Sequence, residues 1–148
     1  MTATGGDVED KTVSGTVPPT LSLTLGGPAS FGAFTPGISR DYLTTIAANV
    51  VSTAGDASLT VADPSGTHTG KLVNGSFALQ QALQARANQG TFAPVAGSAS
   101  PTPLLTYTQP VSNDAVTIGF KQSIAAGDPL RTGVYSKTLT FTLSTTQP

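Results

Sequence analysis

The residue types that usually carry out catalysis are almost missing from this chain. Its 148 residues include one histidine, one glutamate and no cysteine, and only 10% of them are charged. This leaves few groups for general acid–base or nucleophilic work. His68 lies in a run of turn-forming residues, Ser65–Gly70, and no serine shows the spacing of a nucleophile elbow. The sequence therefore predicts no catalytic residue and no enzymatic activity.

Lys137 is the most unusual charged residue, because it lies on the apolar side of a strand-like pattern. In VYSKTLTFTL it shares its parity with Tyr135 and Leu139, so its side chain is expected to point inward. One interpretation is a stem packed at the sheet margin with its ammonium group in water, which also protects an edge strand. The other is an intramolecular Lys–Asn or Lys–Asp isopeptide crosslink, which requires a buried carboxylic acid beside the pair.

Tyr42 and Tyr107 are the candidate ligand-binding residues. Sugar-binding sandwiches stack sugar rings on exposed aromatic side chains, and this chain has no tryptophan and three tyrosines. Tyr135 belongs to the apolar side of its strand, so core or rim packing suits it better. The alternative for Tyr42 and Tyr107 is a buried ring whose hydroxyl group is hydrogen-bonded.

The acidic residues are scattered and do not form a metal-binding motif. Asp56, Asp63 and Asp114 fall near predicted loops, where a calcium ion is conceivable, but the alternating Asp/Asn series of an EF-hand is absent. Turn initiation explains these aspartates more simply, because their carboxylates bond nearby backbone amides. The sequence therefore predicts no metal and no cofactor.

Net charge and hydropathy limit the partners. A net charge of −1 provides no basic field that would attract nucleic acid. No apolar run approaches the roughly 18 residues that span a bilayer, so no membrane insertion is expected. Residues 1–19 end in Pro18-Pro19 and are predicted to be a flexible linker or N-terminal tail, with a β-sandwich module over residues 20–148.

Short runs of alternating apolar and polar residues indicate that this module is all-β. Regular strand spacing with one long connection predicts a Greek-key, immunoglobulin-like β-sandwich of about seven to nine strands. Helical spacing within Ser76–Ala87 adds one short helix or turn near residues 80–87. The predicted strands are Leu21–Leu25, Ser30–Phe34, Asp41–Ser52, Ala57–Ala62, Lys71–Val73, Phe77–Leu79, Leu104–Tyr107, Ala115–Lys121 and Val134–Ser144.

Four segments carry a family resemblance. They are Thr20–Phe34 (TLSLTLGGPASFGAF), Ala54–Val61 (AGDASLTV), Leu72–Gly75 (LVNG) and Pro110–Pro148, which ends in LRTGVYSKTLTFTLSTTQP. The chain resembles the C-terminal immunoglobulin-like β-sandwich modules of large secreted actinobacterial proteins. The resemblance implies an extracellular or cell-surface location, other domains of a larger secreted protein as partners, and no catalytic residues.

Three functions follow as expectations. The first is a non-catalytic extracellular accessory module with a structural, adhesive or surface-attachment role. The second is a carbohydrate-binding module that serves an appended enzyme and contacts cell-surface or plant polysaccharide. The third is a self-assembling surface or filament subunit that uses strand addition by its N-terminal tail. Because association costs translational and rotational freedom, the chain is expected to be a monomer in dilute solution.

Overall fold

The computed structural model describes residues 6–148 and is all-β. Within these residues there are ten strands and no helix. Residues 6–19 form neither, and their side chains are exposed. The strands are β1 Leu21–Leu25, β2 Arg40–Ser52, β3 Ala57–Ala62, β4 Val73–Asn74, β5 Phe77–Ala78, β6 Gln84–Ala87, β7 Ala93–Pro94, β8 Thr102–Tyr107, β9 Val111–Ile124 and β10 Thr140–Ser144.

The strands form two main antiparallel sheets that enclose one core. The larger sheet has the order β1-β2-β9-β6-β7, the smaller has the order β10-β3-β8, and β4 and β5 form a separate hairpin. Strand β1 lies at one edge of the larger sheet and contacts β10, which lies at an edge of the smaller sheet. The architecture is therefore a β-sandwich-like arrangement with two edge strands on the same side.

The two longest strands, β2 and β9, pair with each other in the larger sheet. Its register runs from Arg40 opposite Ile124 to Ser52 opposite Val111, with an irregularity after Val50. Val116 and Ile118 of β9 are buried while the intervening Thr117 is exposed, as expected for a strand with one face on the core.

The core takes side chains from both sheets. Val50 and Ile118 come from the larger sheet, Leu59 and Val61 come from the smaller one, and all four are fully buried. Period-2 alternation alone predicts a shared core for residues in three segments, and the structure confirms it. Of these residues, Ile118 and Phe120 are buried in the core, and Leu23, Leu139, Phe141 and Leu143 are partly buried and pack against it.

The predicted short helix near residues 80–87 is wrong. Residues 84–87 are strand β6, which pairs with β9 and places Ala85 opposite Phe120. Ala85 and Ala87 are buried, whereas Gln84 and Arg86 are less so, which is the alternation of a strand. Glutamine and alanine favour a helix locally, but pairing with a buried strand outweighs that weak preference.

Four other predicted strands are absent, shorter or displaced. Lys71–Val73 is replaced by β4 Val73–Asn74, and Phe77–Leu79 is reduced to β5 Phe77–Ala78. Ser30–Phe34 is not a strand, and it contains Gly32 with φ at 75°. In the final run only Thr140–Ser144 is a strand, although residues 135–143 keep the predicted alternation of half-buried and exposed side chains. Residues 134–139 lack a continuous partner, since Ser136 alone forms an isolated bridge with Val73.

Candidate functional site

Lys137 points inward and pairs with Asp63. Its Nζ lies 3.0 Å from Asp63 Oδ2, and the two side chains are 7% and 0% exposed. Asp63 immediately follows β3, while Lys137 precedes β10, which is the neighbour of β3 in the smaller sheet. The ammonium group therefore does not reach bulk water, contrary to the first interpretation of Lys137.

The loop after β3 wraps around this ammonium group. Lys137 Nζ donates hydrogen bonds to the backbone carbonyls of Thr67 at 3.2 Å, His68 at 2.9 Å and Lys71 at 3.2 Å. Together with the Asp63 carboxylate they form what we term the ammonium cradle, residues 63–71. The cradle surrounds the ammonium group with oxygen atoms only, as proteins do for some bound metal ions. Here the cation is the side chain of Lys137.

The shape of the cradle depends on a glycine. Gly70 has φ at 79°, and a Cβ atom at this position would collide with the carbonyl oxygen of Val95. The Gly70 N–H donates to Asp63 Oδ2 at 2.7 Å. Both the positive φ and the collision with Val95 exclude a side chain at this position. Glycine is therefore required where the backbone turns towards Asp63.

Asp63 is held as a carboxylate. Burial opposes its ionisation, but hydrogen bonds from Ser65, Gly70 and Lys137 outweigh that effect and hold the pKa of the Asp63 carboxyl below its usual value. Ser65 contributes twice to Oδ1, through its N–H at 2.9 Å and its hydroxyl at 2.7 Å. Lys137 and Asp63 thus form a buried ion pair in which both charged groups make further hydrogen bonds. These bonds help to offset the cost of removing the two charges from water.

The same geometry bears on the crosslink interpretation of Lys137. An isopeptide bond forms when an uncharged amine attacks a carboxyl carbon and one water leaves. Here three carbonyls accept hydrogen bonds from the ammonium form, and the donors around Asp63 favour the carboxylate. None of the groups bonded to Asp63 is a second carboxylic acid. The contacts favour the ion pair, and the crosslink remains a prediction.

Tyr42 lies on β2 and is 5% exposed. Its ring packs edge-on against Phe34, with 4.9 Å between the centroids, and the Arg40 guanidinium lies 4.9 Å from its centroid. Its hydroxyl oxygen accepts the Thr35 N–H at 2.9 Å, and that hydrogen bond lowers the pKa of Tyr42. The ring therefore fixes the connection before β2 and has little surface left for a ligand.

Tyr107 lies on β8, in the other sheet. Its hydroxyl donates to Asp114 Oδ2 at 2.7 Å, and burial together with this hydrogen bond and the carboxylate charge raises its pKa. Asp114 pairs with Val50 on β2, eight positions from Tyr42, a separation of about 26 Å along an extended strand. The structure therefore does not bring Tyr42 and Tyr107 together on one platform.

Asp56 forms a second polar cluster that the sequence did not indicate. It lies between β2 and β3, and its carboxylate accepts hydrogen bonds from Thr145, Thr146 and Gln147, just after β10. These donors, led by the Thr146 and Thr145 hydroxyls and the Gln147 N–H, lower the pKa of Asp56 to about 2. Gly55 adds a backbone bond to Gln147. We term this arrangement the C-terminal clamp.

Within the described part of the chain, no three His, Cys, Asp or Glu side chains cluster as metal ligands. Asp56, Asp63 and Asp114, considered above as calcium donors, each accept hydrogen bonds from protein groups. His68 is exposed on the cradle loop with φ at 50°. Residues 6–148 also contain no helix that could cross a membrane.

A large concave surface, an apolar groove of about 990 Å³, lies on the side where the edge strands β1 and β10 meet. One wall is the connection 25–36, the other is the segment 130–139, and the floor includes Ile46, Phe120 and Phe141. Both walls contain segments that the sequence predicts as strands, Ser30–Phe34 and Val134–Leu139, yet neither is part of a continuous sheet. The apolar groove was not predicted from the sequence.

Comparison with protein-family models, with curated proteins and with solved structures finds no match to this chain.

Proposed function

We propose that this chain is a non-catalytic extracellular accessory module with a structural role in a larger secreted protein. We also propose that its sheets form a Greek-key, immunoglobulin-like sandwich. The strand order supports the topology, because the sequential strands β2 and β3 lie in different sheets, and β2 pairs with the distant β9. The secreted or cell-surface location rests on the resemblance of the sequence to C-terminal modules of actinobacterial proteins.

One observation carries the structural role: the aspartates and tyrosines of residues 20–148 are engaged by the fold itself. Every aspartate of residues 20–148 accepts a hydrogen bond from the protein, and all three tyrosine hydroxyls are hydrogen-bonded. The bonded residues are Asp41, Asp56, Asp63, Asp114, Asp128, Tyr42, Tyr107 and Tyr135.

The position of these bonds suits a module that must stay folded under load. The ammonium cradle connects the end of β3 to the stretch before β10, and the C-terminal clamp connects the start of β3 to the stretch after β10. Strand β10 is therefore fixed to its neighbour at both ends by polar contacts, in addition to its pairing with β3.

Single-molecule pulling through the two termini tests this proposal. We expect one discrete unfolding event that recurs after relaxation, and a lower unfolding force in Lys137→Met but not in the tail variant Lys11→Met. Extension without a discrete event, or equal forces in wild type and Lys137→Met, would contradict a load-bearing role.

Sedimentation with insoluble cellulose, xylan, chitin and peptidoglycan tests the carbohydrate-binding alternative. We expect the protein to stay in the supernatant with each polymer. Saturable retention that a soluble sugar reverses would replace the structural role with glycan binding, and Tyr107→Phe and Tyr42→Phe would then show whether either tyrosine takes part.

A further inference from the structure

We propose that the apolar groove is an acceptor site for an extended strand, and that its occupant is residues 11–17 of a second copy of this chain. This inference goes beyond the proposed structural role, because it states how copies associate. The proposal rests on an open backbone edge, on the pattern and charge of the N-terminal segment, and on the distance between that segment and its own groove.

The open edge is the segment before β10. Ser136 exchanges both of its backbone hydrogen bonds with Val73. Since successive residues of an extended chain direct these groups to opposite sides, the N–H and C=O groups of Tyr135 and Lys137 face away from Val73. Within residues 6–148 neither of these two residues forms a backbone–backbone hydrogen bond. Such an edge can pair with an incoming strand.

The N-terminal segment has the pattern of a strand with one apolar face. Val13 and Val17 share a parity and are 95% and 74% exposed, while Thr12, Ser14 and Thr16 alternate with them. In an extended conformation the two valines point to one side and the hydroxyl groups to the other. Paired with the edge, the segment would place both valines against the aromatic floor of the groove and leave the hydroxyl groups in water.

Charge also matches the two surfaces. The groove lining contains Arg131 and Lys137 and no acidic residue, and Asp63 already neutralises Lys137. Within residues 6–19, the acidic residues Asp7, Glu9 and Asp10 lie just before the occupant, and Lys11 is its first residue. The three acidic residues that precede the occupant outnumber its one lysine, and they would meet a surface whose remaining charge is the exposed Arg131.

Val17 cannot reach the Ile46 end of the groove in its own chain. Thr20 is bonded to Thr53. Thr53 directly follows β2 and is seven positions from Ile46 in the groove floor, or about 23 Å. Val17 is only three residues from Thr20, a reach of about 10 Å at full extension. A Val17 side chain at that end of the groove must therefore come from another copy. Each copy would offer a segment and a groove, so the contact is head-to-tail and can form chains.

We expect weak binding, because ordering the segment and joining two molecules oppose association. A monomer in dilute solution is compatible with this proposal. The test uses a fluorescent peptide of residues 6–19 and, as acceptor, the full chain carrying Val13→Asp and Val17→Asp, whose own segment no longer competes. We expect saturable binding by anisotropy, and about tenfold weaker binding for a peptide with the same two substitutions. A Val8→Asp peptide is the matched control, because Val8 is exposed and has the opposite parity.

The groove side is tested at Ala33, which is exposed and lines the groove. We expect Ala33→Glu to weaken peptide binding and Ala33→Lys to preserve it, because only the former repels Asp7, Glu9 and Asp10 of the peptide. Light scattering on the wild-type chain should show a mass that rises with concentration, and the Val13→Asp, Val17→Asp chain should stay monomeric. No binding at millimolar peptide, binding insensitive to these changes, or assembly that persists without the valines would overturn the proposal.

Discussion

Asp63 and Asp56 lie at opposite ends of β3 and hold β10 in different ways. Both carboxylates accept several hydrogen bonds, and both have a lowered pKa. Asp63 is 1% exposed and has a lysine as its counter-charge. Asp56 is partly exposed, and its donors are neutral hydroxyl and amide groups.

Burial makes the contribution of these two clusters unequal. At the C-terminal clamp, water can replace each lost donor, so breaking one bond costs little. In the ammonium cradle, water has poor access and an unpaired charge stays in a medium of low polarity. Two aspartates with similar hydrogen-bond counts are therefore expected to differ strongly in how much the fold depends on them.

The largest effect is expected from Lys137→Met. This change keeps the apolar stem but leaves the Asp63 carboxylate buried without its cation, which typically costs about 3–5 kcal/mol in the free energy of unfolding. Denaturant unfolding measures this loss. Lys11→Met, in the exposed N-terminal segment, is the matched control and should change stability by no more than about 0.5 kcal/mol. A loss below about 1 kcal/mol for Lys137→Met would remove the basis for distinguishing the two clusters.

A smaller effect is expected when a free cation replaces the lysine. Lys137→Ala leaves space for an alkylammonium ion beside Asp63 and the three carbonyls, so propylammonium chloride should raise the melting temperature of this variant. At a concentration equal to its Kd, the ion should add about 0.4 kcal/mol. Tetramethylammonium, which has no N–H donor, should not do so. An equal response in wild type, where Lys137 fills the cradle, would show that the ion acts elsewhere.

Local pattern predicts the strands of this fold better than its polar clusters. Alternation in Val134–Leu143 correctly assigns the inward residues, including Lys137, because side-chain direction is a property of the strand itself. In the edge strand Leu21–Leu25 only Leu23 is partly buried, and Leu21 and Leu25 are exposed. Asp63 lies far earlier in the chain, and only the pairing of β3 with β10 brings it to Lys137. The helix prediction at residues 80–87 failed for a related reason, since β9 decides the conformation of that segment.

A modest, pH-dependent effect is expected from Asp56→Asn. The pKa of Asp56 in the fold is about 2, below the unfolded value of about 3.9. The ionised carboxylate therefore contributes stability in full above about pH 5, and this contribution is lost as the pH falls towards 2. We expect Asp56→Asn to melt at a lower temperature than wild type at pH 7, with a difference that shrinks near pH 2.

Asp41→Asn is the control for this variant, because Asp41 is exposed and accepts one hydroxyl hydrogen bond, from Ser123. Hydrogen exchange at the amides of Thr146 and Gln147 provides a local readout, since both donate to Asp56. Faster exchange there in Asp56→Asn, with unchanged exchange in β9, is the expected pattern. A difference in melting temperature that stays constant down to pH 2 would mean that the Asp56 charge is not the cause.

No change in covalent mass is expected at the ammonium cradle. Lys137 and Asp63 lie close enough to react, but amide formation needs an uncharged amine and a carboxyl group able to lose its oxygen as water. Lys137 Nζ instead donates to three carbonyls, and hydrogen bonds from Ser65 and Gly70 help to hold the pKa of the Asp63 carboxyl below its usual value. The intact mass of the folded chain should therefore equal the mass of its sequence, and digestion should yield Lys137 and Asp63 in separate peptides. A wild-type mass that is lower than its sequence mass by one water, together with a Lys137→Met mass equal to the sequence mass of that variant, would establish the crosslink. The ammonium cradle would then be a site that formed a covalent bond, and its contribution to stability would no longer depend on pH.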